Sequence, residues 1–116
     1  MERYRRAPSG QPGVRWVYVI LKDSARVELY IDRGADAAEW NKAMFDKLHA
    51  RREEVEATFG EPLDWQRLDA KRGCRICKIL EIGGLADESR WPEIQDAMVE
   101  TMIRLEKALG RIVKAG

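Results

Sequence analysis

Residues 26–32 read Arg-Val-Glu-Leu-Tyr-Ile-Asp, a strict alternation that sets Val27, Leu29 and Ile31 against Arg26, Glu28, Tyr30 and Asp32. A period of two fits a pleated strand, whose successive side chains point to opposite faces, and no helix. This strand is therefore half-buried, and its outward set is polar with one aromatic. Immediately before it, Lys22, Asp23 and Ser24 supply turn chemistry. Before that turn, residues 14–21 (VRWVYVIL) place Trp16, Tyr18 and Ile20 on one side of a strand and Val17, Val19 and Leu21 on the other. The two strands form a hairpin, and the first needs cover on both faces or a partner on one.

Downstream the period changes to that of a helix. Asp36 and Glu39 have the spacing of a capping box, and Trp40, Met44, Leu48, Val55 and Phe59 recur at steps of four or seven along one stripe. Arg52 and Glu56 are spaced to pair on the wet side, Gly60 supplies a left-handed stop and Pro62 forbids continuation. The same order then returns: LDWQRL (63–68) as a strand, 69–73 as a turn, CRICKILEI (74–82) as its partner, and Gly83–Gly84 as a break. Past a polar loop at 87–90, Pro92 suits a first helical turn, and Ile94, Met98, Met102, Leu105, Leu109 and Ile112 form a second stripe. Trp40 and Gly60 bracket the first helix much as Trp91 and Gly110 bracket the second, which suggests a duplicated strand–strand–helix unit.

The expected architecture is α+β: a four-stranded, mostly antiparallel sheet with two long amphipathic helices on one face, in the order β-β-α-β-β-α. Residues 14–116 make up this one domain. Residues 1–13 carry Arg3, Arg5 and Arg6 followed by Pro8, Ser9, Gly10, Pro12 and Gly13, and read as a flexible basic arm.

The 116 residues hold 21 Lys and Arg against 20 Asp and Glu, and a net charge of +1 argues against a generic polyanion binder. The longest apolar run, Trp16 to Leu21, is far short of the roughly 20 residues of a membrane helix. With no signal-peptide core at its start and two cysteines, the chain is expected to be cytoplasmic and reduced.

Few constellations carry chemistry. Cys74 and Cys77 have the spacing of half a zinc site, but on a strand they point to opposite faces, so neither metal nor redox function is expected. His49, the only histidine, has no orienting partner within a helical turn and reads as a surface residue. Asp64, Asp69 and Lys71 resemble the acid and acid-any-lysine set of divalent-metal nucleases, yet Asp69 and Lys71 fall in a turn rather than on a strand. No catalytic residue, cofactor or metal is assigned. The basic groups of the second hairpin, Arg67, Lys71, Arg72, Arg75 and Lys78, with Trp65 beside them, are ingredients of a nucleic-acid surface. Glu28, Asp32, Asp64 and Glu81 are placed to neutralise several of them.

The VELYI strand at 27–31, the FG at 59–60, the W-x-R-L string from Trp65 to Leu68, and Arg75 with Ile76 together resemble the bacterial domain of unknown function numbered 4268, over roughly residues 14–112. The resemblance implies an accessory domain, found in relatives at the carboxyl end of longer proteins that can include a nuclease-like module, and transfers no catalytic residue. The positions matching its pattern are Glu28, Tyr30, Trp65, Arg67 and Arg75. They are expected to form an inter-strand network with Glu28 paired to Arg75 or Arg67 and Trp65 across them, or else a ligand-binding face in which the arginines engage an anion and an aromatic stacks a base. The leading expectation is a noncatalytic interaction domain acting through a partner protein, with homodimerisation expected from an apolar first strand near a sheet edge. The alternative is a nucleic-acid-binding accessory module of a DNA-processing or restriction-type system.

Overall fold

The computed structural model of the chain describes residues 3–115, and side chains from residue 7 onward. The chain order is β1 (Arg3–Pro8), β2 (Val14–Ile20), β3 (Ala25–Ile31), α1 (Ala38–His49), α2 (Arg52–Phe59), β4 (Asp64–Gln66), β5 (Cys74–Leu80) and α3 (Trp91–Ala115). Short 3-10 turns at 35–37 and 88–90 lead into α1 and α3. The strands form one sheet in the order β1-β2-β3-β5-β4, every neighbouring pair antiparallel. The α+β class and the antiparallel sheet agree with the sequence reading, but the sheet has five strands, not four, and there are three helices, not two.

The added strand comes from the stretch read as an arm. Residues 3–8 pair along β2 from Arg3 opposite Ile20 to Pro8 opposite Arg15. Main-chain pairing needs no apolar side chain, and a proline is tolerated at the end of an edge strand, so composition gave no sign of it. The Ser-Gly-Gln-Pro-Gly run that follows is the hairpin turn: Ser9 Oγ donates to the Val14 carbonyl at 2.6 Å, and Gly13 adopts φ +80° against the backbone of Arg33. Residues 1, 2 and 116, and the side chains of Arg3, Arg5 and Arg6 counted above as basic charge, lie outside the description. Because β1 borders it, β2 is an interior strand, and the edge argument for homodimerisation no longer applies to it.

The first helical stripe is present but interrupted. At Arg51 the backbone turns to φ −107°, ψ 21°, and its amide bonds back only three residues, to the Leu48 carbonyl. The break lets α1 lie on β5 and β3 while α2 packs against α3. The capping box does not form, since no side chain caps α1 and Asp36 lies in the preceding 3-10 turn. Nor do Arg52 and Glu56 make an ion pair, because Glu56 faces the chain after the helix. Gly60 does close α2 in the left-handed conformation, at φ +100°. The second stripe is realised in full, with Ile94, Met98, Met102, Leu105, Leu109 and Ile112 all buried. Gly110 does not end that helix; it sits inside it, above Trp16.

One core joins the helices to the inner sheet face, where cross-strand partners Leu29 and Ile76 are both fully buried. Burying each such side chain contributes about 1.5–3 kcal/mol. The order β2-β3-β5-β4 about an antiparallel centre is what two strand–strand–helix units give when a two-fold axis passes between β3 and β5. The helices conform: α3, following β5, packs on β3 and β2, and α1, following β3, packs on β5. β1, which has no counterpart beyond β4, and the division of the first helix into α1 and α2, which α3 does not share, make the element order differ from the expected β-β-α-β-β-α.

Candidate functional site

The helices pack on the face that carries Val27, Leu29 and Ile31; the other face bears no helix, although Val17, Val19, Glu28 and Cys77 on it are buried. Register arranges its side chains in rows. One row runs Arg15, Tyr30, Arg75, Gln66 across β2, β3, β5 and β4, and the next runs Val17, Glu28, Cys77, Asp64. Of the five residues singled out in the sequence, Glu28, Tyr30 and Arg75 meet here, and Trp65 and Arg67 do not.

Glu28 is nearly fully buried although it lies on the face without helices. Arg26 Nε donates to its Oε1 at 2.6 Å, while Arg75 Nη1 stands 3.9 Å away, within ionic range but beyond a hydrogen bond. The expected Glu28–Arg75 pairing is thus the weaker of two contacts, and Arg26 holds the carboxylate. Tyr30 lies across Gly73, where a Cβ would come within 2.7 Å of its hydroxyl, so the ring position depends on a glycine. Burial, then the charge of Asp32, raises the pKa of the phenol.

Cys77 lies under this face and Cys74 in the core on the other side, as strand alternation requires. Burial, reinforced by Asp64, pushes the Cys77 thiol up to about 12. A thiol that holds its proton more tightly folded than unfolded gives full stability below its ordinary value of 9.0, lost as pH rises towards about 12. Alkaline denaturation between these values should therefore be steep, and Cys77→Ala should flatten it, as chemical denaturation at stepped pH would report.

Trp65 and Arg67 belong to a clasp on the opposite side. Trp65 faces inward, edge-on to Phe45 and His49, and its Nε1 donates to Glu56 at 2.9 Å, as does the Leu63 amide at 2.8 Å. Those two bonds, from Leu63 and then Trp65, hold the Glu56 carboxyl below its usual range. His49, exposed as expected, also stacks on Phe45. Arg67 reaches Asp46 on α1 and, within its own loop, Asp69. Leu68 takes φ +53°, a conformation in which its Cβ crowds the following carbonyl. The Lys42 ammonium caps that loop, donating to the carbonyls of Arg67, Leu68 and Gly73 at 2.6, 2.9 and 3.1 Å. Beside it, buried Asn41 donates to the Arg72 carbonyl. The W-x-R-L string is therefore largely committed to fastening residues 67–73 onto α1. Lys42→Met should cost about 1–3 kcal/mol by orphaning carbonyls, and amide exchange should speed up first in residues 67–73.

Most cations of the second hairpin are neutralised in place. Arg67 pairs with Asp46 and Asp69, Arg72 with Asp32, and Lys78 with Glu61, which also takes Arg104. Burial pushes the Asp32 carboxyl up, but the hydrogen bonds from Arg72 and the Gly34 amide outweigh it and leave its pKa lowered. Lys78 first, then Arg104, lowers that of Glu61. Among the described residues Asp64 makes no ion pair, accepting instead from Gln66. Asp64 lies on β4 and Asp69 in the loop beyond it, and among the described residues no group of three metal-ligating side chains converges. Nor is any described helix long and apolar enough to cross a membrane.

No curated protein and no solved structure matches the chain. One family model does, over residues 2–113, so the match takes in β1 as well as everything from β2 to the last turns of α3. Fold and motif therefore belong together across nearly the whole chain, which is a member of the domain of unknown function family DUF4268.

Proposed function

We propose that the chain is a noncatalytic binding module that engages a partner protein through the open face of its sheet. The observation that carries this reading is the contrast between the faces. The helices pack on one, while the other bears no helix and presents a mixed surface in which Tyr30 and Arg75 flank Glu28 and the apolar Ile79 stays 45% exposed. Ordered polar groups beside an exposed apolar side chain suit a protein interface with an apolar centre and a polar surround.

Nucleic-acid binding is the second reading, favoured by Arg15, Tyr30 and Arg75 standing in one cross-strand row. The in-place neutralisation of Arg67, Arg72 and Lys78 weighs against it, because ion-paired cations release few counterions from a phosphate backbone. One experiment separates the two. Labelled single- and double-stranded DNA and RNA are titrated at low and physiological salt, and the same chain is used to capture partners from its host, beside an Ile79→Glu variant verified to fold. The proposal expects no salt-sensitive nucleic-acid binding and a captured protein lost with Ile79→Glu. Tight, steeply salt-dependent oligonucleotide binding would replace it with the second reading.

A further inference from the structure

We infer that the open face docks an acidic segment of a partner protein, with one carboxylate seated on the Arg75 guanidinium; this rests on the partner-binding reading above. Among the described residues two buried side-chain donors lack an acceptor, Arg75 Nε and Arg104 Nε. Arg104 is otherwise engaged, donating to the Phe59 carbonyl and to Glu61 and lying over the Phe59 ring. Arg75 is not: its nearest acid is the 3.9 Å contact to Glu28, whose carboxylate is already taken at 2.6 Å by Arg26. Two guanidinium groups thus share the one Glu28 carboxylate, and Arg75, at the longer distance, keeps its buried Nε without an acceptor. A ligand supplying an acceptor gains both the charge pair and the relief of an unpaired donor. Arg75 keeps a fifth of its side chain exposed, so rotation of its outer torsions brings the fork to the surface.

The rest of the face favours a peptide over a polyanion. Glu28 and the exposed Asp64 lie in the row next to Arg75, and would repel successive phosphates while leaving room for a single carboxylate. Further along β5, Ile79 borders a shallow cleft of about 310 Å³ with Pro62, Leu63, Asp64, Cys77 and Lys78. Arg75 and Ile79 share a face four residues apart on one strand, about 13 Å. The matching segment is extended and carries an acidic residue with an apolar residue four positions away.

The test uses a labelled peptide, Gly-Ser-Glu-Ser-Gly-Ser-Leu-Gly, and its glutamine counterpart, read by fluorescence anisotropy and by the arginine Nε resonances of the isotope-labelled chain. The glutamate peptide should move the Arg75 Nε resonance, and either Glu→Gln in the peptide or Arg75→Gln in the folded chain should weaken binding at least roughly tenfold. Equal affinity for both peptides, or an unmoved Arg75 resonance, overturns the inference. So does an oligothymidylate that displaces the peptide and moves Arg75 further. If Ile79→Glu still releases the captured partner while Arg75 is indifferent to carboxylate, the acidic chemistry fails and the face remains the interface; a partner retained by Ile79→Glu removes both.

Discussion

Gly84→Ala is expected to cost about 4 kcal/mol or more, enough to unfold many domains of this size, and urea denaturation of the variant should show little or no native baseline. A Cβ at this buried position would stand 2.7 Å from the Lys22 carbonyl and from the Ser24 amide, and closer still to the Leu21 carbonyl. All three are backbone atoms of the β2–β3 turn, so no side chain can swing aside. The contact is also where two segments are joined, since the Leu85 amide donates to Leu21 and the Ala86 amide to Lys22, at 2.8 and 3.0 Å. Gly34→Ala is the control. That glycine has φ +129° and ψ 178° but nothing within 4 Å of its missing Cβ, so only conformational strain of about 1–3 kcal/mol is expected. Similar losses at both sites would mean that the turn at 21–24 yields, and that space is not the constraint at Gly84.

Glu28→Gln should destabilise by about 2–4 kcal/mol, a discount on the full cost of breaking a buried ion pair because Arg26 and Arg75 are each a fifth exposed. The amide keeps the shape and one acceptor but leaves two guanidinium groups facing each other across β3 and β5 without a counter-charge. Adding Arg26→Met should recover much of the loss, and a double-mutant cycle from denaturant midpoints would measure the coupling. Additive losses would show that Glu28 acts through packing.

The halves of the chain were legible to different degrees, for physical reasons. Alternation in 26–32 and the stripe from Ile94 to Ile112 were clear because each buries one face against a single core, and burial leaves a periodic mark. β1 left none, since an edge strand is held by main-chain bonds. The interruption of the first helix at Arg51 was hidden because the seven-residue step from Leu48 to Val55 keeps the stripe in phase across it. In the candidate site, Glu28, Tyr30 and Arg75 could be placed on one face from alternation and pairing alone. Trp65 and Arg67 were grouped with them by motif, yet the parity of β4 turns Trp65 inward and Arg67 lies past the strand's end. The role of Lys42 had no signal, because its acceptors are carbonyls, which every residue carries.

The turn after β1 is tied to the far end of the molecule, where Gln11 Nε2 donates to the Val113 carbonyl at 3.3 Å across 102 positions of sequence. The loop is therefore secured in two stages: the bond from Ser9 to the Val14 carbonyl can form as soon as β2 exists, whereas the tie to Val113 has to wait until α3 has been made and has packed.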